Sequence, residues 1–396
     1  MTKNLTLGLS LAFAVGAVGC QDERIEPTAP PAASTPDLKW QQFSLPGHIK
    51  QEKGKLKLPR GVRVSHPEAL MLSRRVIDPD DHVCPASTPV VDWFIGEVDE
   101  FITEEPAIFD FIFNDVWADL IPQWEALFLL NASRSDEFGY DGEYTNVLRR
   151  TQRDAKRFWD IPSGDIQMIP MKGTMLQNTG RVAETYELPF IPPFFGLSEA
   201  DAQTVAALVR SAILASNVVD GGNHPLFSFN AFAFSDGPGG FPDKIVMGDG
   251  ILEGYQVGGF GDVAPQAVYA HEFGHHIQFE NGYFENDDVP GDTEAEFTRY
   301  FELMADAYSA YYLTHKRGAA MNRKRVAQFL EVFFQIGDCA FDNPGHHGTP
   351  NQRMRAAQLG FRLAAQAQKQ GHILSSDQFH DRFVSAYPDL VAPDAT

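Results

Sequence analysis

The sequence predicts an α+β protein, mostly helical, with a small sheet beside one central helix. Three observations predict it. Apolar and aromatic residues recur at helical spacing between residues 60 and 160, and again after residue 264. Between these regions lie short strand-like runs, Ile166–Met171, Leu226–Phe234 and Lys244–Gly248. Directly after them comes His271-Glu272-Phe273-Gly274-His275, whose two histidines project from one face when the run is helical.

The chain opens with Lys3 and an apolar run from Leu5 to Val18, ending in Ala17-Val18-Gly19-Cys20. Residues 1–20 read as an export signal, too short and too rich in Gly and Ser for a membrane span. The small residues before Cys20 resemble a bacterial lipobox, although Ala17 stands where leucine is usual. That resemblance implies a lipid anchor on Cys20 and an extracytoplasmic place in the bacterial cell envelope; an ordinary signal would give a secreted protein. Residues 21–40, rich in Pro, Ala and Thr, suit a disordered tether. Beyond them stand two cysteines, Cys84 and Cys339. In an oxidising compartment they form a disulfide or remain two separate thiols.

Roughly 350–375 residues remain after export, enough for one large or two ordinary domains. We divide them into a mainly helical region, 41–160, and a second region, 161–396, that holds the histidine pair. A net charge of -21 argues against nucleic acid or anionic lipid as a direct partner and favours solubility.

In the first region, Val91 to Phe113 alternates aromatic and acidic residues, and Trp117 to Leu130 continues an apolar face. Tyr144 to Trp159 has helical spacing with a basic face of Arg149, Arg150, Arg153, Lys156 and Arg157, read as solvated or acid-paired rather than as a ligand patch. In the second region, Arg181–Leu188 reads as a further strand, and Ser198 opens a helix to about Ser216. Residues 228–234 or 244–248 are expected at the sheet edge, where an extended peptide can add as a strand. Gly254, Gly258, Gly259 and Gly261 read as a loop before the histidine helix, a turn-rich connector or else a flexible rim; Asp262 is a candidate N-cap, and Asn281-Gly282 marks a stop.

The chemistry centres on residues 271–275. Two imidazoles four residues apart on a helix can bind one zinc ion, and Glu272 beside them can act as general base toward a water. His276 lies about 100° round the helix and is not expected at the same ion. A catalytic zinc needs a third protein ligand. Thr293-Glu294-Ala295-Glu296 reads as a capping box opening a helix that stops by Gly318. Within it Glu302 and Asp306 share an otherwise apolar face, where two carboxylates are costly unless paired or metal-bound; the other reading is an exposed acidic stripe. A helix from Met321 to Ile336 follows, then Asn343 to Arg353, then a helix to Gly371.

His271-Glu272-x-x-His275 followed by Glu302-x-x-Ala305-Asp306 resembles the gluzincin arrangement. The string Ala270–Gln278 is similar to bacterial neutral zinc metallopeptidases, and Phe229-Asn230-Ala231-Phe232-Ala233 to a strand of the membrane gluzincins that process prenylated proteins. The resemblance covers about residues 223–360. It implies a zincin-like catalytic domain, Zn2+ held by His271, His275 and Glu302, and Asp306 orienting His271. It also implies that His347 or Arg353 faces the cleft and stabilises an oxyanion; alternatively, Thr349 or Asn351 simply caps the last long helix there. The expected function is an exported zinc metallopeptidase acting on protein or peptide substrates. The alternative is a zinc-binding envelope assembly or quality-control lipoprotein with little peptidase activity.

Overall fold

In the computed structural model the described residues are 63–64, 88–189, 197–235, 240–335 and 346–393. The export signal, the tether, Cys20, Cys84 and Cys339 lie outside them. Among the described residues the fold is α+β and mostly helical, with one four-stranded sheet. Its strands are β1 (Arg63–Val64), β2 (Gln167–Met171), β3 (Ala231–Ser235) and β4 (Lys244–Gly248), in the order β1-β3-β4-β2. β3 pairs antiparallel with both β1 and β4, and β2 pairs parallel with β4.

Helices of eight or more residues are numbered along the chain. The first three are α1 (Pro89–Glu104), α2 (Ile121–Phe128) and α3 (Thr145–Phe158). Arg149, Arg150, Arg153 and Arg157 on α3 are exposed, while Lys156 bonds the Ile166 carbonyl at 2.7 Å. Next come α4 (Thr179–Tyr186) and α5 (Glu199–Ala215). The expected strand over 181–188 is therefore a helix. Asn178 accepts a hydrogen bond from the Arg181 N–H as a side-chain cap, and Val182, Ala183, Thr185 and Tyr186 turn inward at helical spacing. The run from Leu226 is split. Pro225–Phe227 forms a single 3-10 turn, its start capped by the His224 ring, and extended pairing begins only at Ala231.

Beyond the sheet run α6 (Asp249–Val257), α7 (Ala264–Asn281), α8 (Glu294–Thr314), α9 (Arg323–Gln335), α10 (Pro350–Gln370) and α11 (Ser376–Leu390). Gly254 belongs to α6 rather than to a connector, and its Cα faces Trp93 and Phe229. Asp262 does not cap α7; the N-cap position is Val263, which makes no side-chain cap bond. Gly282 ends α7 in the left-handed conformation at φ 68°, and capping boxes at Thr293/Glu296 and Thr349/Gln352 open α8 and α10. α8 stops at Thr314, before Gly318.

The sheet positions α7 through strand β4. β4 is interior, between β3 and β2, so it cannot be the edge expected to receive a peptide. β3 carries β1 on its outer side, where Arg63 and Val64 pair with Ser235 and Phe234. His276 Nε2 meets the Lys244 carbonyl of β4 at 2.9 Å, fixing the helix to the strand.

Lys244 itself is buried, and its Nζ donates to the carbonyls of Ala126, Leu127 and Leu130 at and beyond the end of α2. An ammonium there satisfies carbonyls that a helix leaves unpaired and complements the negative helix end. Lys244→Met is expected to cost on the order of 1–3 kcal/mol by stranding them, read as a lower denaturant midpoint at pH 7. Burial also pulls the Lys244 pKa down to about 8. Between that value and the ordinary lysine value near 10.4 the unfolded chain binds more protons, so this residue's contribution to stability rises with pH. Between pH 8 and 10 the wild type should therefore gain stability relative to Lys244→Met; a relative loss would contradict the assignment.

Candidate metal centre

The centre is built where α7 crosses α8. The two helices run antiparallel, stitched at both ends: Ser309 Oγ donates to the Ala267 carbonyl at 3.0 Å, and Gln278 Nε2 to the Phe301 carbonyl at 2.8 Å. Midway, a Cβ on Gly274 would stand 3.0 Å from the Ala305 Cα. Glycine lets the backbones approach this closely without displacing Ala305, and the approach brings side chains from both helices to one point.

Those side chains are His271 and His275 from α7 and Glu302 from α8. The two Nε2 atoms are 3.2 Å apart. Glu302 Oε2 lies 3.2 Å from His271 Nε2, and its Oε1 lies 3.3 Å from His275 Nε2. Among the described residues this is the one group of three or more such side chains whose potential ligand atoms converge, all within 4.8 Å of one another.

The other ring nitrogens are already engaged. His271 Nδ1 lies 2.8 Å from Asp306 Oδ1, and His275 Nδ1 lies 2.9 Å from Gln278 Oε1. Outer partners of this kind fix each ring and present Nε2 toward a common ion. Gln278 was not singled out from the sequence, although its place three residues after His275 could have marked it.

Arg353 lies behind the centre. From the first turn of α10 its Nε donates to Asp306 Oδ2 at 2.8 Å and its Nη2 to Asp306 Oδ1 at 2.7 Å. Both side chains are fully buried, and Nη2 is 3.8 Å from Glu302 Oε2. Arg353, expected from the resemblance as an oxyanion contact, thus forms a two-pronged ion pair with the group that holds His271, and its Nη1 is buried without a hydrogen-bond partner. Thr349 does cap α10, and Asn351 is exposed. His347, half-buried in the segment before α10, is near enough for its charge to act on Glu302. His276 is turned away, with Nδ1 3.5 Å from Asp243 and Nε2 on β4.

The charges at the centre act strongly on one another. Burial raises the Glu302 pKa, but His347, His275 and His271 together hold it well below the usual carboxylate range. Burial lowers that of His271, yet Asp306 and Glu302 lift it to about 10. Glu272, also buried, is raised above the ordinary glutamate value by desolvation, then by Glu302, against the lowering effect of both histidines and Arg353. Its Oε2 is buried and has no hydrogen-bond partner. Two imidazoles and a carboxylate facing one point could hold a metal ion, and nitrogen and oxygen donors of this kind fit zinc. Comparison of the chain with protein-family models, curated proteins and solved structures found no match in any of the three.

Proposed function

We propose that the protein is a zinc metallopeptidase of the gluzincin type with a zincin-like domain. We also propose that it is exported and anchored through Cys20 in a bacterial envelope. The observation that carries the enzymatic reading is the convergence of His271, His275 and Glu302, with Glu272 next in sequence to the first ligand and one oxygen unpartnered. His271, His275 and Glu302 would hold the ion, with Asp306 and Gln278 orienting the two rings. Bound there, zinc supplies Lewis acidity to the substrate carbonyl and the attacking water.

Glu272 takes the proton from that water as it adds to the peptide carbonyl, then delivers it to the leaving amine nitrogen as the C–N bond breaks. His347, whose charge acts on Glu302, and Arg353, whose Nη1 is buried without a hydrogen-bond partner, would meet charge developing on the carbonyl oxygen.

One observation favours the second reading, an assembly or quality-control factor with little peptidase activity. His271, Glu272, His275 and Glu302 are only 6, 5, 1 and 3% exposed. A polypeptide must reach a centre that is closed on most sides.

Zinc analysis with a peptide-cleavage assay tests both. One zinc per chain is expected in the wild type and in Glu272→Gln, with cleavage reduced about 10²–10⁴-fold in the latter. Glu302→Ala should retain far less zinc. Wild-type protein free of stoichiometric zinc would sink the metallopeptidase reading. Zinc without cleavage, and envelope function intact in Glu272→Gln, would favour the second reading.

A further inference from the structure

A separate cavity of about 550 Å³ lies at the far end of α8, between the turn that follows it and helices α9 and α10. Thr314 is twelve residues beyond Glu302, roughly 18 Å along the helix at 1.5 Å per residue. The cavity is therefore distinct from the metal centre. Its wall is apolar, from Met321, Val326, Phe361 and Ala365. Lys316 and Lys369 also line it, both exposed, and no acidic residue does. Thr314 Oγ1 is buried there without a hydrogen-bond partner.

The surrounding charge runs against the rest of the chain. Residues 314–325 carry five Lys and Arg and no Asp or Glu, and residues 356–370 carry Arg362 and Lys369 and no acid. The whole molecule has a net charge of -21. The two cations that line the cavity, Lys316 and Lys369, thus belong to stretches without acidic residues.

The wall is also held in place. Gly318 N–H bonds the His315 carbonyl at 2.8 Å, Ala319 N–H that of Tyr312 at 3.0 Å, and Met321 N–H that of Leu313 at 2.9 Å. These bonds fold the turn back onto the end of α8. They keep Ala320 in the left-handed region at φ 52°, a conformation disfavoured for an L-residue and maintained by its surroundings.

We infer that this cavity binds a single-chain amphipathic carboxylate, the alkyl chain against Met321, Val326, Phe361 and Ala365 and the head between Lys316 and Lys369. A cavity of this size lies within the range of small-ligand clefts, about 300–1,000 Å³. The pairing of apolar wall and cationic rim matches one chain with one anionic head. The inference does not depend on the metallopeptidase reading.

Calorimetric titration of the full-length protein with decanoate, below its micellar range, tests it. Saturable binding at one site per chain is expected, at least tenfold tighter than for neutral decan-1-ol. Lys316→Glu/Lys369→Glu, both at exposed positions, should weaken decanoate binding at least tenfold, and Ala365→Leu should weaken decanoate and decan-1-ol alike. Glu272→Gln should leave it unchanged. The inference is overturned by the absence of saturable binding. It is equally overturned by undiminished binding in the charge-reversed protein, which would place the carboxylate at the metal centre or on no defined site.

Discussion

Arg353→Met is expected to destabilise the protein by about 3–5 kcal/mol, the cost of stranding one member of a buried ion pair. Arg353 and Asp306 are both fully buried and share two hydrogen bonds of 2.7 and 2.8 Å. Without the guanidinium, Asp306 keeps its contact with the His271 ring, and its charge stays in a dry interior. Removing both charges should be milder than removing one, so Asp306→Asn/Arg353→Met should recover part of the loss. Arg353→Lys should fail to rescue, because a point charge cannot reproduce the two-pronged contact. Denaturant midpoints at constant m-value check all three. Zinc affinity should fall with stability in Arg353→Met, since Asp306 would no longer be fixed against His271. A variant as stable as wild type but slower in cleavage would return Arg353 to the substrate-contacting role that the resemblance implies.

That role was unreadable from the sequence for a physical reason. Asp306 and Arg353 are 47 positions apart, and no periodicity relates a residue on α8 to one on α10. Local signals, in contrast, were legible. Thr293 with Glu296 and Thr349 with Gln352 satisfy their own helix ends, and Gly282 adopts the left-handed conformation its neighbours require, so each carries its structure within a few residues. The convergence of His271, His275 and Glu302 was anticipated because two members share a helical face and the third shares one with Asp306. Arg181–Leu188 misled because eight residues fit either period, and the decisive feature was a capping side chain at Asn178, outside the run. Strand order was equally hidden. Nothing within Lys244–Gly248 tells it that β2, more than 70 residues earlier, will cover its second side.

Gly274→Leu should empty the metal centre without altering a ligand. A Cβ at residue 274 would meet the Ala305 Cα at 3.0 Å and the Ala305 Cβ and carbonyl oxygen each at 3.2 Å. Part of that obstacle is backbone, so no rotamer of a neighbour can clear it; α7 and α8 must separate. Separation carries Glu302 and Asp306 away from His271 and His275, whereas zinc tolerates donor distances only within about 0.2 Å of ideal. It also strains the flanking bonds from Ser309 to Ala267 and from Gln278 to Phe301. Leucine is a good helix former, so lost helicity is not the expected cause of failure. Gly274→Ala isolates the contact further: it gains about 0.8–1 kcal/mol of helix propensity, set against an overpacking cost of about 1–3 kcal/mol. The expected series is full zinc in wild type, reduced affinity in Gly274→Ala, and well under one zinc per chain in Gly274→Leu with far-UV circular dichroism close to native. Full zinc and an unchanged melting temperature in Gly274→Leu would mean that the two helices do not touch at this glycine. The ligand geometry would then need another origin.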